Sequence, residues 1–176
     1  MRNRHAYAGL VRRYELVLGR YVRRLLGRHM QWAEDVLQDV FIKAYVNLND
    51  YDSSRPFGPW IYRIAHNEAV SFLRRKNAES ETITGEDAEL ILQQAAGSGD
   101  DPGTAWQRAR TGGEVRTALS GLDRRYRDVL VLRYLEEKSY DEIADILEMP
   151  MGTVATLINR GLKQLKAPLQ ASWGIL

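Results

Sequence analysis

Cysteine is absent from the 176 residues, which excludes disulfides, thiolate metal sites and cysteine nucleophiles together and fits a reducing compartment. No apolar run approaches the ~18–20 residues that span a bilayer. Arginines interrupt the N-terminus, "MRNRHAYAGLVRRYELVLGRYVRR", so no signal-peptide apolar core is expected and the cytoplasm is the default location, with no membrane insertion. The three histidines, His5, His29 and His66, are scattered. No nucleophile constellation or phosphate loop accompanies them, so neither an enzyme nor a cofactor nor a metal is expected. Glu34, Asp35 and Asp39 crowd together, and Asp35 and Asp39 share a helix face at i, i+4. Without a nearby histidine or a second carboxylate motif they read as a solvated face, not an acid–base or metal cluster. Strand-like alternation is also missing, and the expected fold class is all-α: two small helical domains joined by an acidic flexible linker.

Charge is present but unevenly placed. The net charge is only +2, yet residues 1–78 carry 14 basic against 7 acidic side chains. Residues 79–113 reverse this with 2 basic and 7 acidic, and the remainder is balanced. A basic first domain suits a polyanion, and an acidic connector suits competition for basic surfaces; plain solubility explains the same pattern equally well.

Apolar spacing predicts three helices in the first third. The first runs from His5 to Leu26 on a stripe of Leu10, Tyr14, Val17, Leu18, Tyr21 and Leu25, with Gly27 as its stop. The second runs from about Gln31 to Leu48, turning Val36, Leu37, Val40, Ala44 and Leu48 inward and Asp35, Gln38, Asp39 and Lys43 outward. Turn formers in "NDYDSSRPFGPW" then break the chain. The third helix starts near Pro59 or Trp60, where a proline loses no intrahelical bond, and ends about Lys76. "ESETITGEDAELILQQAAGSGDDPGT", 79–104, reads as linker, and "AWQRARTGGEVRTALSGL" as a helix weakened by Gly112 and Gly113.

Downstream, Asp123 is an N-cap for "RRYRDVLVLRYLEE", with Val129, Leu130, Leu132 and Leu135 available to the core. Ser139 stands three residues before Glu142, the spacing of a capping box, and Ile143, Ala144 and Leu147 face inward. After Pro150 the last helix runs to about Lys166 on a stripe of Val154, Ile158, Gly161, Leu162 and Leu165. Ala144 and Gly161 permit two helices to cross closely, as in a helix-turn-helix whose far face is free for DNA. Spacing alone fits an αα-hairpin of a bundle as well.

The residues themselves decide further. "SYDEIADILEMPMGTVATLINRGLKQL" resembles the DNA-binding C-terminal region of bacterial extracytoplasmic-function (ECF) sigma factors, and "ALSGLDRRYRDVLVLRYLEEKSYDEIA" the segment before it. "AEDVLQDVFIKAY" followed by "PWIYRIAHNEAVSFLRR" is similar to the N-terminal sigma domain. The resemblance implies a sigma N-terminal domain over 1–78, an acidic linker over 79–104 and a C-terminal helix-turn-helix domain over 105–176. It further implies a transcription initiation factor that binds core RNA polymerase, directs it to promoters and assists melting.

Its partners would be the coiled coil of the polymerase's largest subunit and the flap, promoter DNA, and an anti-sigma factor. Core binding would fall to Asp35, Gln38, Asp39, Val40, Phe41 and Lys43, an acidic and amide face with an apolar border. The −10 element would be met by Arg55, Trp60, Tyr62, Arg63, His66, Asn67, Arg74 and Arg75, cations for phosphates beside rings and amides for unstacked bases. By type, Trp60 favours the core over a base contact. The −35 element would be met by Thr153, Ala155, Thr156, Asn159, Arg160 and Lys163. Family recognition helices commonly carry more basic residues here, and each missing phosphate contact flattens the salt dependence by ~0.9 in log–log slope. Glu148 replaces the glycine usual at the turn; if φ is positive there, it costs on the order of 1 kcal/mol. An autonomous helix-turn-helix regulator and a sigma-like interaction module are the alternative readings.

Overall fold

The computed structural model of the chain describes residues 4–82, 119 and 121–173. Among the described residues every regular element is helical, as the missing strand alternation requires. Helix α1 spans Arg4–Leu26 and α2 spans Ala33–Val46, with 3₁₀ turns at Gly27–Trp32 and Asn47–Asp50. Helix α3 spans Phe57–Thr82. The second half holds α4, Arg124–Leu130, running into a π-helical turn at Val131–Leu135, then α5, Tyr140–Leu147, and α6, Met151–Trp173. The linker beyond Thr82 and the helix expected before Asp123 lie outside the described residues, Leu119 apart.

The first three helices pack on one another through the stripe that their spacing announces. Leu18, Tyr21, Val22, Leu25 and Leu26 of α1 meet Val36, Val40 and Ala44 of α2 and Ile61, Tyr62, Ala65, Ala69 and Phe72 of α3, all buried. Each such Leu, Ile or Val contributes about 1.5–3 kcal/mol by leaving water. Helix α3 begins two residues before Pro59, which still falls in the first turn, where its missing N–H costs nothing. It continues past Lys76 to Thr82 because Asn77, Ala78 and Glu79 contain no breaker.

In the second half the caps form as spaced. Asp123 accepts from the Arg125 N–H at 3.0 Å. Ser139 and Glu142 close a reciprocal box, 3.1 Å from Glu142 N to the Ser139 hydroxyl and 2.8 Å from Ser139 N to the Glu142 carboxylate. Glu148 adopts φ 52°, the left-handed turn between α5 and α6. Val129, Leu130, Leu132, Ile143, Val154 and Ile158 are buried, whereas Leu135 and Leu162, expected inward, are both 37% exposed. The π-helical turn explains Leu135, since one wide turn rotates the residues after Val131 off the α-helical stripe. Gly161 does permit a close approach, but to α4: an added Cβ would sit 3.2 Å from Tyr126 Cβ and 3.1 Å from Leu130 Cδ1. Helix α6 runs past the expected end at Lys166 and through Pro168 to Trp173, which removes one backbone donor among helix formers such as Ala167, Leu169 and Gln170.

The two halves are in contact. Helix α3 lies against α5, and α1 meets the π-helical turn.

Candidate polymerase and nucleic-acid interfaces

Helix α2 turns Asp35, Gln38 and Asp39 to solvent. Lys43 is also exposed, yet its ammonium is held 2.5 Å from Glu68 on α3. Val40 corrects the expected docking set: it is fully buried beneath α2 and presents no surface. Its i, i+4 partners Val36 and Ala44 already place it on the core stripe. Half-buried Phe41 instead borders a shallow apolar groove with Tyr7, Gln38, Ile42, Tyr45 and Val46. Ile42 and Val46 are 54% and 55% exposed, and the Tyr7 hydroxyl donates to the Phe41 carbonyl, tying α1 to the groove wall. Tyr45 and Val46 escaped the sequence reading, although their i+4 relation to Phe41 and Ile42 marks the same face.

The loop entering α3 is ordered by Asp52, which accepts from the Ser54 N–H at 2.9 Å and the Ser54 hydroxyl at 2.7 Å. These bonds, ahead of the nearby Arg55, hold its carboxyl below the usual carboxylate range. Tyr51, Phe57 and Trp60 form a ring cluster with centroids 5.1–5.2 Å apart, and Tyr14 closes on Phe57 at 5.4 Å. Trp60 is thereby half-buried, part of the packing and part of the surface.

The remaining side chains expected at the −10 strand divide into two groups. Asn67, Arg74 and Arg75 face solvent. Arg55, Tyr62, Arg63 and His66 are engaged with the other half of the chain. Arg63 pairs with Asp145 and, at 3.2 Å, with Glu148; Arg55 lies 3.9 Å from Asp145. Buried Tyr62 donates to Glu136 at 2.9 Å, and burial first, then the Glu136 charge, raises its pKa. Glu136 also pairs with Arg24 of α1, whose guanidinium bonds the Leu135 carbonyl at 2.9 Å. Buried His66 lies 3.1 Å from the Tyr21 hydroxyl through Nδ1 and 3.8 Å from Asp128 through Nε2. None of these acidic partners was foreseen, because nothing in a surface Asp of α5 signals what lies across from it.

On α6, Thr153, Thr156, Asn159, Arg160 and Lys163 are exposed and Ala155 half-buried. They form one face opposite the packed Val154, Ile158 and Gly161. The Thr156 hydroxyl donates back to the Gly152 carbonyl at 2.9 Å, leaving its methyl and lone pair outward.

A helix-turn-helix with a free face on its second helix, joined to a basic three-helix domain, defines a DNA-binding protein whose described elements are all helical. Comparison with known proteins narrows this class. Residues 10–79 match the family model for Sigma-70 region 2 and residues 112–165 that for Sigma-70, region 4. The chain is 33% identical to the ECF RNA polymerase sigma factor SigW of Bacillus subtilis, over 94% of this chain and 89% of the relative. It is 32% identical to the RNA polymerase sigma-H factor of Pseudomonas aeruginosa, over 90% and 87%. A solved structure of CnrH in complex with the cytosolic domain of CnrY is similar at TM-score 0.67 and 26% identity, over 97% of this chain and 91% of that one. CnrH of Cupriavidus metallidurans is 30% identical, over 96% of this chain and 89% of CnrH. The chain therefore belongs to the sigma-70 family, among the ECF RNA polymerase sigma factors. It is a transcription initiation factor.

Proposed function

We propose that this sigma factor acts without chemistry of its own, in the cytoplasm, by three divided tasks assigned to three helices. The α2 face of Asp35, Gln38, Asp39, Phe41 and Lys43, with the adjoining groove, docks on core RNA polymerase. Helix α3 and its entry loop engage the −10 element through Arg55, Trp60, Tyr62, Arg63, His66, Asn67, Arg74 and Arg75. Helix α6 meets the −35 element through Thr153, Ala155, Thr156, Asn159, Arg160 and Lys163. The bounds 1–78, 79–104 and 105–176 serve as working limits of the N-terminal domain, linker and C-terminal domain.

The single observation that carries this reading is the separation of faces. An acidic helix edged by exposed Ile42 and Val46 suits a helix-on-helix protein interface, while the free face of α6 offers hydroxyl, amide and two cationic groups to a groove. An anti-sigma protein is the further partner we assign, by similarity to CnrH, which is bound to the cytosolic domain of CnrY in its solved complex.

Transcription in vitro with core polymerase and a genomic promoter library, followed by start-site mapping, tests the assignment. Initiation at a defined promoter set is expected. A chain that never binds core, or that holds duplex DNA tightly without it, overturns the reading in favour of an autonomous regulator.

A further inference from the structure

Helices α1 and α2 run antiparallel, and their outward faces lie side by side. Three contacts set the level of one helix against the other. Arg23 reaches Glu34 at 3.6 Å, a Cβ added to Gly19 would sit 3.5 Å from Leu37 Cδ2, and the Tyr7 hydroxyl meets the Phe41 carbonyl. Because both helices rise equally per residue, Leu16 is level with Val40 and Arg20 with Val36.

The two faces carry opposite charge. Helix α1 holds six arginines against a single acid, Glu15. Arg12, Arg13, Arg20 and Arg23 are exposed at helical spacing around Leu16, which at 78% is the most exposed large hydrophobic among the described residues. Helix α2 turns Glu34, Asp35 and Asp39 outward, and its one cation, Lys43, is already held by Glu68. Arg20, Asp35 and Asp39 enter no ion pair among the described residues.

A basic stripe beside an acidic stripe is self-complementary under one symmetry. A two-fold axis lying in the face and parallel to the helices sets α1 of each copy on α2 of the other, base on acid, with all levels unchanged. An axis across the helices sets α1 on α1 and α2 on α2, like on like, which Coulomb repulsion opposes. In the first arrangement Arg20 and Arg23 meet Asp35 and Glu34 of the second copy. Leu16 then covers Ile42 of the second copy, a side chain 54% exposed in the single chain. An apolar centre with a rim of arginines and carboxylates is the pattern of a protein interface. Nucleic acid is the poorer occupant, since the three carboxylates repel its phosphates and Leu16 stays in water.

We propose that the chain forms a two-fold homodimer through this face, α1 of each copy on α2 of the other. A face two helices wide lies at the small end of interface sizes, so a dissociation constant on the order of 10 µM is expected. The same α2 residues are assigned to polymerase docking, so dimer and polymerase complex exclude each other. That consequence, unlike the dimer itself, rests on the polymerase assignment.

The charge pattern permits a reciprocal test. Sedimentation of the full chain between about 1 and 200 µM, which brackets that affinity, should show the mass rising from 20.2 kDa towards twice that value. Raising the salt from about 0.05 to 0.5 M should weaken the association. Arg20→Glu with Arg23→Glu makes both faces acidic, and Glu34→Lys with Asp35→Lys makes both basic. Each double variant alone should dissociate at least about tenfold more readily, because like charges are juxtaposed. An equimolar mixture of the two should recover the wild-type association, since each acidic face then meets a basic one. All four positions are exposed, so circular dichroism should show unchanged helix content.

A wild-type chain that stays monomeric at the highest concentration overturns the proposal, as does a dimer indifferent to salt. A dimer that either double variant leaves intact overturns it too, since another face would then form it. So does a mixture of the variants that fails to associate. Titration with core polymerase examines the consequence separately: the dimer should give way to a complex with one copy of this chain per polymerase. A polymerase complex that retains the dimer overturns the exclusion, whereas a chain that dimerises as stated yet never binds core removes the polymerase assignment alone.

Discussion

His66 of α3 and Asp128 of α4 face each other across the boundary of the two halves, 3.8 Å from Nε2 to Oδ2, and burial drives both towards their neutral forms. The His66 pKa falls to about 4, by burial first and the Arg124 charge second. The Asp128 pKa rises to about 6, by burial first, against the opposing pull of Arg127 and Arg124. Tyr21 from α1 completes the surroundings, its hydroxyl 3.1 Å from His66 Nδ1.

These shifts have opposite consequences for stability. His66 binds its proton less readily folded than unfolded, so its contribution favours folding above about pH 6.5 and is lost as pH falls towards about 4. Asp128 binds its proton more readily folded, so its penalty stands above about pH 6 and is relieved as pH falls towards 3.8. In the wild type the two nearly cancel between about pH 6 and 4. Asp128→Asn should therefore expose the His66 dependence and lose on the order of 3 kcal/mol on acidification from pH 6.5 to 4, relative to wild type. His66→Gln should show the reverse slope. Denaturant melts across that range check both, and parallel curves for the three chains would refute the pairing.

A left-handed residue governs the turn of the helix-turn-helix. Glu148 sits at φ 52°, where a Cβ is strained, and Glu148→Gly should gain up to about 1 kcal/mol from relief of that strain. The loss of the exposed Arg63–Glu148 pair, 3.2 Å long, offsets part of this. Glu148→Ala keeps the strain and loses the pair, so it should melt below both wild type and the glycine variant. Thermal melts of the three chains give the order, and a glycine variant less stable than the alanine one would refute the backbone argument.

The docking proposed at the α2 groove can be tested apart from folding. Ile42 and Val46 are more than half exposed, so Ile42→Asp or Val46→Asp should change stability by no more than about 0.5 kcal/mol. Either should weaken core polymerase binding at least tenfold, about 1.4 kcal/mol or more, as expected for an apolar anchor at an interface. Val40→Asp, on the same helix but fully buried, should unfold the domain instead. Melting temperature and polymerase affinity measured together distinguish the two positions; an Ile42→Asp chain that binds core normally would remove the groove from the interface.

What was legible in the sequence was local. Asp123 and the Ser139–Glu142 box announce their caps because the donors they satisfy lie within three residues. Glu148 announces its strain because turn geometry is local too. Tyr126, Val131 and Ile146 are buried but were not read as core, since the π-helical turn and the third dimension decide which face of a short helix is covered. The carboxylate belt on α3 was illegible for a related reason. Asp145 and Glu148 stand more than 80 residues from Arg63, and a polar residue on an outward face looks the same whether it meets water or another domain. Val40 is the instructive failure: the stripe that buries it was visible, yet family position placed it among contacts.

If α6 reads the −35 element as proposed, recognition comes down to few groups, which makes their individual effects measurable. Arg160 and Lys163 are the exposed cations of the reading face, and nothing in their surroundings pairs them with an acid among the ion pairs of the described residues. If each neutralises one phosphate, Arg160→Ala and Lys163→Ala should each reduce the log–log salt slope of promoter binding by the holoenzyme by ~0.9. Asn159 carries no charge and pairs a donor with an acceptor, the combination that reads adenine in the major groove. Asn159→Ala should leave the salt slope unchanged and relax base preference at one −35 position, at a cost of about 1–3 kcal/mol for the preferred base. Titrations of holoenzyme against promoters mutated across the −35 element, at several salt concentrations, resolve the two kinds of loss. A uniform change in slope for all three variants would show that α6 positions the domain on the backbone without reading sequence.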